Sequence, residues 1–498
     1  MLGGGPAGCA AAVLLARRAH EVALVVPSHP PAPTLGESVP PSSRRLLEEL
    51  GLVGAIDAAG FVANGGNTVW WAGGEPRVET FPAGEAGFHA ERASLEAVLV
   101  DAAESVGVRV YRATTARAAE ESEDGWSILC EVGDGPPLAL SAPWALDATG
   151  RHGLLARREG REPDRETTTL ALVQTWRVGR AETHTLVESY EDGWAWSIPV
   201  GPDARCVTAM VDQRHAELAG ADVSGMLAAQ LARTEHLRHS LAAGEPTGPA
   251  WACPASLHTA TRFGRPGLLL VGDAGSAIDP LSSYGVKKAL SSGWMAGIVA
   301  HTALVDPPMA GAAVDFFDER EREVYRESRR ASVDFFEDAA RAYGHDFWRS
   351  RARAARAASA AASPLAQGAD RGTGTGHMAK GSTEGVPESA VRAAFDLIRE
   401  RDRLDAVPGP TLRTFPKAAI RGQRIVMEEH LGSAAYPAGM RWVRGVDLGR
   451  LVEIAPRHAD VPAGWSAYNA AAPPVTLPDY LTALSTAFAA GLLAHQDA

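Results

Sequence analysis

Met1-Leu2-Gly3-Gly4-Gly5-Pro6-Ala7-Gly8 opens the chain, and an Ala- and Leu-rich run carries on to Ala19. A second apolar stretch, 21–26, follows it. Strand, glycine turn, helix and strand in that order make the βαβ opening of a Rossmann-like nucleotide fold. The glycines of Gly3-x-Gly5-x-x-Gly8 do different things. Gly3 permits the tight turn, Gly5 lets a pyrophosphate approach the backbone, and Gly8 lets helix and sheet pack closely. Pro6 and Ala7 begin the helix, whose free N–H groups and partial positive charge attract phosphate. A strand usually needs about five residues, and here only Met1-Leu2 precede the turn, so the strand is expected to begin upstream. The acidic residue that normally ends the second strand of such folds is replaced by Val26-Pro27-Ser28, which leaves the adenosine ribose to Ser28 or to backbone.

Far along the chain a second signal agrees with the first. The apolar run 268–271 enters Gly272-Asp273-Ala274. A carboxylate at the end of a buried strand is costly unless it accepts hydrogen bonds, and ribitol hydroxyls would supply them. Asp279-Pro280-Leu281 then precedes Gly285-Val286 at a helix start, where N–H groups would face the anionic edge of a flavin ring. Arg92 heads a helix over 94–106 and is either a pyrophosphate contact or a solvated charge. Gly36-Glu37-Ser38, with Pro40 after it, leads into a helix over 42–50. Glu37 is a candidate for the flavin neighbourhood and His89 for a polar group near the substrate sheet. Segments 61–88 and 170–212 read as strands, the latter alternating as a half-exposed sheet does.

At 498 residues the chain exceeds one hydrophobic core, so several domains are expected. A net charge of −12 argues against nucleic acid as a partner. No apolar run reaches the roughly 18–20 residues that cross a bilayer. Cys9, Cys130, Cys206 and Cys253 are too scattered for a zinc site or a disulfide framework, which suits a reducing cytoplasm. His236 and His239 lack a third ligand, so no metal is expected.

The glycine turn, Gly36–Ser38, Arg92, Ala148-Thr149-Gly150 and Gly272–Gly285 together resemble the glutathione-reductase-type FAD monooxygenases. Gly193-Trp194-Ala195-Trp196-Ser197-Ile198-Pro199 narrows the resemblance to the tryptophan-halogenase-like branch, whose hallmark is W-x-W-x-I-P. The match covers roughly residues 1–330. It implies FAD as cofactor, O2 as oxidant, and NAD(P)H or a flavin reductase as electron donor. Gly3, Gly5, Pro6, Ala7, Gly8, Ser38, Arg92, Gly272, Asp273, Asp279, Pro280, Gly285 and Val286 are the expected cofactor contacts, and Glu37, Trp194 and Trp196 the expected catalytic residues. The implied fold class is α/β with an α+β second domain. A Rossmann-like FAD-binding domain (1–60, 88–160 and 255–310) is interleaved with an antiparallel-sheet substrate domain (61–87 and 161–254). A helical region (311–362), a linker (363–388) and a C-terminal helical module (389–498) complete the expected layout.

One departure decides between chemistries. Halogenases of this branch carry a lysine between flavin and substrate, on the segment after the G-E-S helix. Lys287, Lys288, Lys380 and Lys417 are the lysines of this chain, and 61–74 has none. Arginine, which is planar and never deprotonates, is no substitute. The sequence therefore favours hydroxylation of an electron-rich aromatic ring over halogenation of an indole or phenol. The substrate is a small aromatic molecule or a tryptophan in a peptide or protein, as in the flavoproteins that mature quinone-cofactor enzymes. A non-catalytic FAD-binding maturation chaperone is the alternative of a different class.

Overall fold

Leu2 sits at the centre of the nucleotide-binding sheet: it pairs in parallel with Val25 on one side and Asp147 on the other, with Met1 and Gly3 making the hydrogen bonds to Val25. Ala23–Val25 pairs in parallel with Arg109–Tyr111, and Ala145–Asp147 with Leu268–Leu270. The computed structural model describes residues 1–28, 35–82, 84–165, 167–179, 181–213, 222–360, 386–401 and 403–496. Leu268, Leu269 and Leu270 are fully buried, as a parallel strand covered on both faces requires. The helix Pro6–Ala16 lies against the long helix Gly285–Val305 so closely that a Cβ at Gly293 would meet the Ala7 carbonyl at 2.2 Å. Thr114–Ser122, Gly125–Val132 and Leu138–Ala142 form an antiparallel meander beside this layer.

The second sheet has eight strands. Thr169–Arg177, Ala204–Asp212, Gly193–Pro199 and His184–Tyr190 are its antiparallel centre, and Gly66–Trp70 joins His184–Tyr190 in parallel. The sequence suggested a half-exposed sheet, but both faces are covered. Val333–Tyr343 and Asp346–Ala360 supply Phe336, Phe347 and Trp348 to one face. On the other face Val223–Leu231 and His236–Ser240 supply Leu227, Leu231 and Leu237. The alternating pattern misleads because its polar positions are satisfied inside. Glu188, 6% exposed, accepts from the N–H groups of Glu235, His236 and Leu237 at the start of a short helix. A second departure concerns Val62–Asn64, which belongs to a small sheet with Gly36–Val39 and Gly87–Glu91 rather than to the large one. Gly36-Glu37-Ser38 is accordingly a strand.

The chain divides into two compact units, Met1–Ala361 and Ala362–Ala498. The expected linker lies outside the described residues up to 385. The second unit is helical as expected, with Glu388–Glu400, Leu448–Ile454, Val461–Ala471 and Leu477–Ala489, and Arg413–Arg421 and Arg424–Gly432 add a hairpin to it. The helix expected over 446–454 starts at Leu448, where the Asp447 carboxylate caps Gly449 and Arg450. The helix expected over 477–493 is Leu477–Ala489, since Leu493–His495 pairs as a strand with Ala406–Pro408. Tyr468, Tyr480, Leu448, Leu451 and Leu484 fill this unit's own core.

Trp348 is fully buried, donates its indole N–H to the Tyr190 carbonyl at 2.9 Å, and meets Trp71 edge-on with ring centres 5.3 Å apart. Trp348→Ala should destabilise the first unit by about 3–5 kcal/mol, read as a lower unfolding midpoint for that unit's transition.

Candidate functional site

Gly3 has φ +109°, and a Cβ there would lie 2.3 Å from the Ala148 carbonyl oxygen. At Gly8 a Cβ would lie 2.0 Å from the Gly3 oxygen. These two glycines are closed in by backbone. Gly5 differs: its nearest neighbours are Glu96 Oε1 at 3.4 Å and Arg92 Nη2 at 3.5 Å, so its α-carbon faces a side-chain-lined opening. The helix behind it starts with Pro6. The Gly272–Asp273 turn comes to the same place, since Gly272 (φ +64°) sits where a Cβ would be 2.7 Å from the Ala7 side chain. Two motifs far apart in sequence thus share one cradle. It is narrow against backbone and open toward Arg92, a shape that fits the pyrophosphate and ribitol of FAD.

The cradle's charges are paired. Arg92 Nη1 donates to Glu37 Oε1 at 2.7 Å and its Nε to Glu96 Oε1 at 2.5 Å. Burial raises the Glu37 pKa, an effect that Arg92 partly offsets. Asp273 shows the opposite balance: burial works against its charge, yet Lys288, Arg151, Arg92 and His258 together hold its carboxyl below the ordinary range. Asp279 is raised by burial, and its carboxylate accepts from the Leu281 N–H at 2.9 Å. Pro280 follows it in a short 3-10 turn, and Gly285 and Val286 begin the long helix. Ser38 is not free: its Oγ lies 3.1 Å from Thr185 Oγ1 and accepts from Asn64 Nδ2 at 3.1 Å.

Trp194 is 3% exposed and stacks on Trp196 at 5.1 Å, with Trp71 edge-on at 6.4 Å. It is a packed member of the aromatic face, whereas Trp196 is only partly buried. Leu35 and Leu281 pack on the same cluster, as do Trp251 and Val187, which brings the 279–285 loop to that face. His89 is fully buried, contacts the Thr183 carbonyl at 3.1 Å, and is pushed down to about 4 by burial, so it braces the small sheet. Among the described residues no His, Cys, Asp and Glu cluster could hold a metal. His236 instead stacks on Trp70 at 4.4 Å.

Sequence reasoning missed Glu96, Arg151, Lys288 and His258. Arg151 approaches Asp273 at 3.9 Å, and His258 Nε2 meets the Asp273 carbonyl at 2.8 Å. The i,i+4 spacing of Arg92 and Glu96 on one helix was the available signal. The others come from segments that only the fold brings together.

The FAD binding domain family model matches residues 1–293. The chain belongs to that family, and FAD is its cofactor. The tryptophan 2-halogenase of Chondromyces crocatus is 28% identical over 335 residues, covering 64% of this chain and 63% of the relative. The flavin-dependent halogenase armH3 of Armillaria mellea is 27% identical, covering 59% and 65%. The chain thus spans less than two thirds of either relative's length. Among solved structures, the flavin-dependent halogenase CmlS shares the fold with a TM-score of 0.75 at 21% identity, covering 99% of this chain and 94% of that one. The peptidyl tryptophan dihydroxylase QhpG does so with a TM-score of 0.65 at 24% identity, covering 93% and 94%. The halogenase-like kinship read from the sequence holds.

Gly5→Ala should fold as the parent does while weakening FAD binding at least tenfold, because the added carbon faces only side-chain ends and the opening. Gly8→Ala should instead lose both fold stability and flavin, since its carbon would meet backbone. FAD titration and thermal melts of the two variants check the contrast.

Proposed function

We propose that this protein is an FAD-dependent enzyme that oxidatively modifies an electron-rich aromatic ring, and that the modification is halogenation. The observation that carries the reading is the meeting of the 279–285 loop with an aromatic sheet face: Leu281 and the partly buried Trp196 and Trp251 share one cluster. Halogenation within that frame is supported by the names of the relatives.

In this reading the glycine turn and Arg92 hold the pyrophosphate, and Asp273 accepts from a ribitol hydroxyl. The N–H groups at Gly285 and Val286 face the flavin ring. When bound and reduced, FAD supplies the activation of O2, with electrons from NAD(P)H or a flavin reductase. The chain orients the ring and excludes water, which strengthens every electrostatic contact inside the site. Trp196, Trp251 and Val187 offer an apolar surface for stacking an indole or phenol. Arg92 keeps Glu37 fixed at the edge of that space.

A second reading, direct hydroxylation, has its own observation. Asn64 stands in the lysine-free segment 61–74, is 2% exposed, and is locked by its bonds to Ser38 and the Gly66 N–H. No ammonium is available from that strand. A peptide or protein substrate would follow from the same reading.

Incubation with FAD, a reductase, NADH and indole or phenol substrates, with and without chloride or bromide, separates the two by mass spectrometry. Halogenation expects a halogen isotope pattern that appears only when halide is supplied. Gain of a single oxygen atom regardless of halide would overturn halogenation in favour of hydroxylation.

A further inference from the structure

Beneath the Gly272–Asp273 turn lies a set of buried charges. Lys288, 6% exposed, sits one turn into the Gly285–Val305 helix and faces inward. Its Nζ donates to the Gly272 carbonyl at 2.8 Å and to the Ser276 carbonyl, and lies 3.7 Å from Asp273 Oδ1. One turn further, Ser292 Oγ accepts from the Gly272 N–H at 2.8 Å and also hydrogen-bonds Glu321 on the helix Ala310–Ala331. Glu321 is 2% exposed, and its Oε2 has no hydrogen-bond partner among the described residues. An ammonium and a carboxylate taken this far from water are a net cost to folding, which an apolar pair of similar volume would avoid. A ring of charges surrounds the same turn. Arg151 approaches Asp273 Oδ2 at 3.9 Å. Arg92 and His258 also lower the Asp273 pKa, and Arg161, Glu37 and Glu321 interact with Asp273 through space.

We propose that Lys288 and Glu321 are positioning residues of the cofactor site. The Lys288 ammonium pins the turn through two carbonyls and keeps Asp273 a carboxylate, ready to accept from a ribitol hydroxyl. Glu321 orients the Ser292 hydroxyl so that its lone pair meets the Gly272 amide. The proposal rests on the reading that Asp273 holds FAD.

A carboxyl held below its ordinary range keeps its accepting form at neutral pH and loses it as pH falls through that lowered value. Removing Lys288 raises the value, so FAD affinity should begin to fall at a higher pH. Burial raises the Glu321 pKa, so Glu321 has lost its charge before Asp273 titrates, and its role is tested through its bond to Ser292: E321Q keeps an acceptor for that hydroxyl and E321L does not. A loss of packing alone would leave the acid limb in place.

The experiment is the FAD dissociation constant, read by flavin fluorescence quenching from neutrality down to about pH 3, with circular dichroism at each pH to follow the fold. The proteins are the parent, K288M, E321Q, E321L and D273A, each stripped of flavin and reloaded. K288M is expected to move the acid limb upward by about one pH unit, roughly tenfold weaker binding on that limb. E321L is expected to weaken binding while E321Q, which keeps an acceptor for Ser292, binds as the parent does. An acid limb unmoved in K288M together with equal affinity in E321L and E321Q would overturn the proposal. Should K288M fail to fold, the E321Q and E321L pair decides alone. D273A separates this inference from the reading beneath it. Unchanged neutral-pH affinity in D273A removes Asp273 from the site and the proposal with it. Weakened D273A binding with an unmoved limb in K288M and equal affinity in E321L and E321Q defeats only the positioning roles of Lys288 and Glu321.

Discussion

The whole cofactor layer depends on one contact that admits no side chain: the first turn of the Pro6–Ala16 helix against the backbone around it. Gly8 abuts the Gly3 carbonyl, Gly293 of the long helix abuts the Ala7 carbonyl, and Gly272 abuts the Ala7 methyl group. Close packing of this kind is what the third glycine of the fingerprint provides. Its consequence reaches past the phosphate turn. With the two helices locked together, the Gly272–Asp273 turn has one position, and Arg92 and Glu37 meet above it as an ion pair. Dispersion and backbone geometry set the frame, and electrostatics then works inside it.

How much of this the sequence disclosed follows from the range of each signal. The glycine turn was legible because three glycines at fixed spacing, an apolar neighbour and a helix are all local. Gly272-Asp273 was legible for the same reason. Glu37 and Arg92 were each singled out, but their pairing was not, because it joins a strand and a helix 55 positions apart. Lys288 was invisible as a site residue. It lies in the first turn of its helix beside Lys287, which instead reaches Ser42 and the Tyr284 ring, and nothing local distinguishes an inward lysine from an outward one.

The large sheet shows the complementary failure. Alternation along 170–212 suggested one wet face, yet Arg205, 2% exposed, spends its guanidinium on the Glu182, His184 and Ser197 carbonyls. Polar residues that satisfy backbone inside a fold look like surface residues in a sequence. Trp194 drew attention through its motif, and its ring is buried in the packing of the aromatic face, stacked on Trp196.

The joint between the small sheet and the eight-stranded sheet of the first unit limits how these two layers can move. Gly36 presses its backbone on Ile198 and Cys206 with no room for a β-carbon, its N–H reaches Cys206 Sγ at 3.3 Å, Ser38 bonds Thr185, and His89 bonds the Thr183 carbonyl. A hinge between the layers would have to break all of these at once and strip the apolar cover from the joint. Parting of these two sheets in the manner of a clamshell is therefore closed, so any movement that opens the aromatic face has to leave this joint intact.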